Sequence, residues 1–161
     1  MRNTILSASV IGTIAVSSPS LAEIRVEFIE GAPKDRFVLT NFGDCDIGAG
    51  VFKIDFTGSN AGLIFDVSGK GAGIEVFQPF ELTSGAEFLT TLPAILDGDQ
   101  LAKLDISGLK SDASIAFTID VDDTRGTRAI TVSGSEISGT TVSFTSESTM
   151  VSEVMEAEAE V

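Results

Sequence analysis

The chain has 161 residues, 10 Lys and Arg against 24 Asp and Glu for a formal charge of −14, 43% hydrophobic residues, and no His, Tyr or Trp. So negative a surface repels phosphate backbones and anionic lipid, which argues against nucleic-acid and membrane-surface binding, while the apolar content is too high for a disordered polyanion. Without histidine there is no Ser-His or Cys-His pair and no imidazole metal ligand, so most nucleophilic and transition-metal chemistry is excluded by composition alone.

The first stretch, "MRNTILSASVIGTIAVSSPSLAE", has a basic start at Arg2, a short apolar run from about Ile5 to Val16, and Ser20-Leu21-Ala22 as a small-x-small cleavage site. This pattern predicts a secretory signal peptide over 1–22, with an apolar run too short to anchor the chain in a bilayer. The expectation is an exported protein with no membrane span in its mature form, secreted, at the cell surface or in the periplasm. Cys45 is the only cysteine, so no intramolecular disulfide can form and the core must hold by packing. It lies between Asp44 and Asp46, whose charge disfavours a reactive thiolate.

Period-two patterns then recur along the chain. Ile24, Val26 and Phe28 share a face in "IRVEF", and Phe52, Ile54 and Phe56 do so in "VFKIDF". Leu63, Phe65 and Val67 line up in "GLIFDV", Leu104 and Ile106 in "LAKLDIS", and Phe117, Ile119 and Val121 in "AFTIDV". Each run is short and bounded by Gly, Asn, Asp or Ser, as half-buried antiparallel strands are, and no internal segment sustains a helical period. The predicted fold is a single all-β domain over 23–146, an antiparallel β-sandwich of the immunoglobulin-like type. The remainder, 147–161, is rich in Glu with no basic residue and predicts a mobile acidic tail.

Glycine spacing in "SGKGAGIEVFQPFEL" invites a phosphate-loop reading, but that loop must open a helix. Here a strand, "IEVF", is expected to follow, so Gly69, Gly71 and Gly73 read as a turn. No Ser-x-x-Lys or Gly-x-Ser-x-Gly pattern supports a serine nucleophile. A carboxylate-only glycoside hydrolase is a remote third reading, since two acids suffice for that chemistry. The expectation is a protein that is not an enzyme.

The acidic cluster in "AFTIDVDDTRGTR" poses the sharper question. A hairpin with Asp123 opposite Arg128 would put Val121 against Ile130, Ile119 against Val132, Asp120 against Thr131 and Thr118 against Ser133, matching apolar with apolar. Asp123 then has an ion-pair partner, while Asp120 and Asp122 leave on the other face and need oxygens from elsewhere to hold a cation. The connection "GLKSDAS" returns the chain so that "LDGDQ" arrives at the same pole, bringing Asp97 and Asp99. Asp97, Asp99, Asp120, Asp122 and Asp123 therefore form either a solvated acidic pole with one ion pair or a weak calcium site of the kind extracellular modules carry. The loop is not an EF-hand, because Arg125 stands at its glycine position.

Four stretches together, "IRVEFIEGAPKDRF" (24–37), "AGLIFDVSGKGAGIEVFQPFEL" (61–82), "FTIDVDDT" (117–124) and "ITVSGSEISG" (130–139), resemble exported bacterial proteins called aggregation factor core proteins, after the sponge aggregation factor. The resemblance implies extracellular adhesion, and calcium dependence by way of the sponge system. It leads to an expected function in cell-surface adhesion, aggregation or matrix interaction, calcium-assisted, with an extracellular protein, a glycan or a second copy as partner. The alternative is a periplasmic binding or assembly module that recruits a protein through a free sheet edge.

Overall fold

The computed structural model of the chain describes residues 24–71, 73, 77–125 and 131–156. The expected leader, Arg128 and the expected strand over 74–77, apart from Phe77, lie outside them. In chain order the strands are β1 (Ile24–Ile29), β2 (Asp35–Asn41), β3 (Gly50–Asp55), β4 (Ile64–Phe65), β5 (Glu81–Ser84), β6 (Leu101–Ile106), β7 (Ser114–Ile119), β8 (Val121–Asp122), β9 (Thr141–Thr145) and β10 (Met150–Val154). One sheet has the order β1-β2-β7-β5, a second β10-β9-β3-β6, and β4 pairs with β8 alone; every pairing is antiparallel. The expected all-β sandwich is what the chain forms. Strand β6 enters between β5 and β7 in sequence and docks outside β3. Among the described residues no helix is long and apolar enough to cross a membrane.

Alternation in the sequence becomes the core. Phe37 and Leu39 of β2 and Ile115, Phe117 and Ile119 of β7 point inward from the first sheet, each with no exposed surface. Phe52 and Ile54 of β3, Ala102, Leu104 and Ile106 of β6 and Phe144 of β9 meet them from the second. Aromatic rings tie the layers: Phe37 stacks on Phe117 with centroids 5.2 Å apart and lies 6.3 Å from Phe56, which in turn lies 4.6 Å from Phe65. Each fully buried ring of this kind stabilises the fold by about 1.5–3 kcal/mol.

Three expectations are corrected. The expected pairs of Thr118 with Ser133 and Ile119 with Val132 do not form, because β7 already has a partner on both edges: Ile119 faces Asp35 and Thr118 faces Arg36 on one side and Glu81 on the other; Ile130 and Arg128, the partners expected for Val121 and Asp123, lie outside the described residues. Ser133 instead caps a single helical turn, α1 (Gly134–Ile137), with its N–H and Oγ both donating to Glu136 Oε2 at 2.7 Å. The domain does not end at Ser146 in a mobile tail. The chain turns there, Ser146 N–H donating to the Thr149 carbonyl at 2.8 Å, and β10 returns along β9 with Met150 opposite Thr145 and Val154 opposite Thr141. Within β10 the only charge is Glu153, so the segment keeps enough apolar character to pair; 157–161 lie outside the described residues. Finally, "GLIFDV" does not alternate, since Ile64 and Asp66 are buried as well as Leu63 and Phe65.

Replacing Phe117 by Ala should remove about 3–5 kcal/mol of stability, whereas Phe77→Ala, at a ring 41% exposed, should cost far less. Urea unfolding followed by far-UV circular dichroism measures both; equal midpoints for the two variants would contradict this account of the core.

Candidate metal centre

After Ile119 the chain leaves the first sheet. Asp120 is the junction residue, and β8 continues from it to pair with β4, Val121 opposite Phe65 and Asp122 opposite Ile64. The register extends one residue further, since the Asp66 N–H donates to the Asp120 carbonyl at 3.1 Å. A third segment closes the junction: Asp120 N–H donates to the Gln78 carbonyl and Gln78 N–H to the Asp66 carbonyl, at 3.1 and 3.2 Å. Residues directly opposite, or two apart on a strand, project from the same face. Asp66, Asp120 and Asp122 therefore share one face, while Phe65 and Val121 turn to the core.

All three are buried, at 0%, 5% and 3% exposure, and one carboxylate oxygen from each lies within 4.8 Å of the others. Both Asp66 oxygens and Asp120 Oδ2 are buried with no N–H or O–H donor. Loss of hydration raises the Asp66 carboxyl to about 7, with the Asp97 and Asp122 carboxyls adding to the effect. Burial likewise raises Asp120 to about 8, reinforced by Asp122, Asp35 and Asp66. Asp35, at the start of β2, stands behind this group. Its burial raises it to about 7 although the N–H groups of Gly31, at 3.0 Å, and Val121 pull the other way.

Such a site has two ways to relieve its charge: it takes up protons, or it takes up a cation. An oxygen-only set of carboxylates with no sulfur or imidazole suits a hard divalent ion, and calcium–oxygen distances of about 2.3–2.6 Å span oxygens up to about 5 Å apart. The glycine-rich segment supplies the wall. A Cβ on Gly73 would overlap the Asp66 carboxylate and stand 2.6 Å from Asp122 Oδ2, and one on Gly71 would overlap Asp97 Oδ2. Glycine lets the backbone approach the acids closely.

Of the residues expected at this pole, Asp120 and Asp122 converge as the face argument required. The bend containing Asp97 and Asp99 does arrive beside them, with Gly98 N–H donating to the Phe65 carbonyl and Phe65 N–H to the Asp99 carbonyl at 2.9 and 2.8 Å. Asp97 borders the triad: its Oδ1 accepts from Val67 and Ser68 N–H at 2.9 and 2.8 Å, and its carboxyl is within hydrogen-bonding reach of Asp66. Burial pushes Asp97 up, but those two N–H groups and neighbouring side chains outweigh it and hold the group below the usual carboxylate range. Asp99 does not converge, because its Oδ2 accepts from Leu96 N–H at 2.8 Å within its own turn. Asp123 is buried but outside the triad, and its expected partner Arg128 lies outside the described residues. Asp66 was not anticipated. The signals for it were an aspartate inside an apolar run and three glycines at alternate positions, which together mark an acid faced by bare backbone.

In the unfolded chain these carboxyls ionise near 3.8, so above that pH the folded, cation-free domain holds protons that the unfolded chain has released. The stability they contribute is full below about 4 and is lost as pH rises through about 7 to 8. In chelator, the melting temperature should fall between pH 5 and pH 8. Asp66→Asn, which removes one charge from the buried group, should flatten that fall and raise the melting temperature at pH 8. A wild-type profile that rises over this interval would overturn the reading.

No family model matches this chain, and a search of curated proteins returns no similar sequence.

Proposed function

We propose that the chain is an exported, non-enzymatic β-sandwich that acts in cell-surface adhesion, aggregation or matrix interaction, with calcium held at its acidic pole. The observation that carries the reading is Asp66, fully buried with two donor-less carboxylate oxygens beside Asp120 and Asp122. A side chain so placed is costly unless a proton or cation meets it. The composition supports the same direction: with a net charge of −14, two such surfaces repel until divalent cations offset them. The resemblance to aggregation factor core proteins supplies adhesion as the context, and the leader-like first stretch supplies export. The partner is an extracellular protein, a glycan or a second copy.

The alternative, an assembly module that recruits a protein by strand addition, is favoured by a different observation. All five residues of β10 are exposed, Met150 at 74%, and a cleft of about 700 Å³ opens between β10 and β1, floored by Phe52, Val142 and Phe144. Free edges of this kind accept another strand.

Thermal melting in about 10 mM calcium against chelator tests the first reading. A site held at ten times its dissociation constant adds about 1.4 kcal/mol, and Asp66→Asn or Asp122→Asn should abolish the gain. Light scattering in the same titration should report calcium-dependent association. Association that ignores calcium but vanishes in Met150→Lys/Val154→Lys would favour the edge-strand reading instead.

A further inference from the structure

β1 is an edge strand whose side chains alternate: Ile24, Val26 and Phe28 are half-buried, Arg25 and Glu27 exposed. Its free hydrogen-bonding groups follow from its neighbour. The Asn41 N–H donates to the Ala113 carbonyl at 3.0 Å, so the odd-numbered residues of β2 bond towards β7 and the even-numbered ones towards β1. Arg36, Val38 and Thr40 thus take up Ile29, Glu27 and Arg25, which leaves the N–H and C=O groups of Ile24, Val26 and Phe28 directed at the open edge. On the outer face Arg25 lies opposite Thr40 and Glu27 opposite Val38, and neither has an ion-pair partner among the described residues. Arg25 only stacks over the exposed ring of Phe42, 4.4 Å from its centroid. The edges at β5 and β6 are less open: β5 is short and broken by a register shift, and Leu89 bridges to Ile106 alongside β6.

We propose that β1 is a self-recognition edge, at which two copies of the chain pair β1 with β1, antiparallel, about a two-fold axis at Val26. The inference rests on the second copy named among the partners above, and it needs no calcium. In this register Arg25 of each copy lies opposite Glu27 of the other, Ile24 opposite Phe28, and Val26 opposite its own counterpart. The outward N–H and C=O groups of Val26 meet those of the other Val26, and the Arg–Glu pairs fall at the non-hydrogen-bonded positions, where side chains approach most closely. A two-fold axis at Arg25 or at Glu27 would instead set like charges face to face, which destabilises a strand pair. The apolar side supports the same occupant. Beside β1 the sandwich is open over a cleft floored by Phe52, Val142 and Phe144, and the added strand brings a second Ile24, Val26 and Phe28 on the inward face to cover it. On a chain of net charge −14, where most contacts between copies repel, matched opposite charges at one edge select that contact.

Sedimentation velocity over a concentration series, in chelator and in about 10 mM calcium, tests the pairing. The wild type should dimerise in both buffers. Arg25→Glu and Glu27→Arg should each weaken the dimer about tenfold, because either change puts like charges opposite one another at both symmetry-related contacts. Mixing the two single variants should restore the wild-type affinity as a mixed dimer, since every facing pair at positions 25 and 27 is then opposite in sign. Met150→Lys/Val154→Lys, on the other wall of the cleft, should leave the dimer intact. Single variants that associate as tightly as the wild type, or a mixture no tighter than either variant alone, overturn the β1 register. Association lost in Met150→Lys/Val154→Lys but kept in Arg25→Glu also overturns it and moves the contact to β10. A wild type that stays monomeric in both buffers overturns the inference too, while a calcium shift in melting temperature on the same sample leaves the calcium reading standing.

Discussion

Where β7 leaves its sheet to become β8, three segments share one buried junction: the β7–β8 segment brings Asp120 and Asp122, the β4 segment brings Asp66, and Gln78 of the third closes the backbone. The backbone there is fully satisfied by the ring of bonds among Asp66, Gln78 and Asp120, yet the side chains that the same register puts on one face are all acids. Burying a carboxylate without a donor costs several kcal/mol per uncompensated charge. The fold holds this junction because the aromatic core beneath it, Phe37, Phe56, Phe65 and Phe117, fixes β4 and β8 from the other side. Stability made in the core is spent at the pole, and a stored cost of that kind is expected at functional positions.

Local chemistry arranges the rest. Asp97 would add a fourth charge, but two backbone N–H groups orient it and draw its negative charge outward. Asp99 is absorbed by its own turn. Asp35 sits behind the junction under two N–H groups of its own. The pole is therefore graded: Asp97, Asp99 and Asp35 accept from backbone N–H groups, whereas both oxygens of Asp66 and Oδ2 of Asp120 meet no donor. Glycines 71 and 73 allow bare backbone to close over the assembly, where any side chain would collide with a carboxylate.

Much of the sandwich is legible in period-two alternation, since Ile24, Phe52, Leu104 and Phe117 announce which face of each strand is inward. β2 has a regular pattern too, but Asp35 and Asn41 at its ends obscure it. What alternation cannot give is pairing between distant segments. The pairing of Thr118 and Ile119 with Ser133 and Val132 satisfies every local rule, and it fails because β2 and β5 occupy both edges of β7, a fact about strands some 35 to 80 residues away. The same limit hid Asp66: two of the three triad members are neighbours in sequence and readable by parity, but the third arrives through the β4–β8 pair. The tail misled for the opposite reason, because its average charge masked five residues able to pair.

The central claim is that the Asp66, Asp120 and Asp122 carboxylates together hold one hard cation. Diffraction from crystals grown in calcium and then exchanged with terbium tests it most directly, because the anomalous signal locates the ion independently of any phase bias. The account predicts a single strong peak within bonding distance of all three carboxylates, with Asp97 outside that shell and still bonded to Val67 and Ser68. A triad left empty while terbium binds elsewhere on the acidic surface would contradict it.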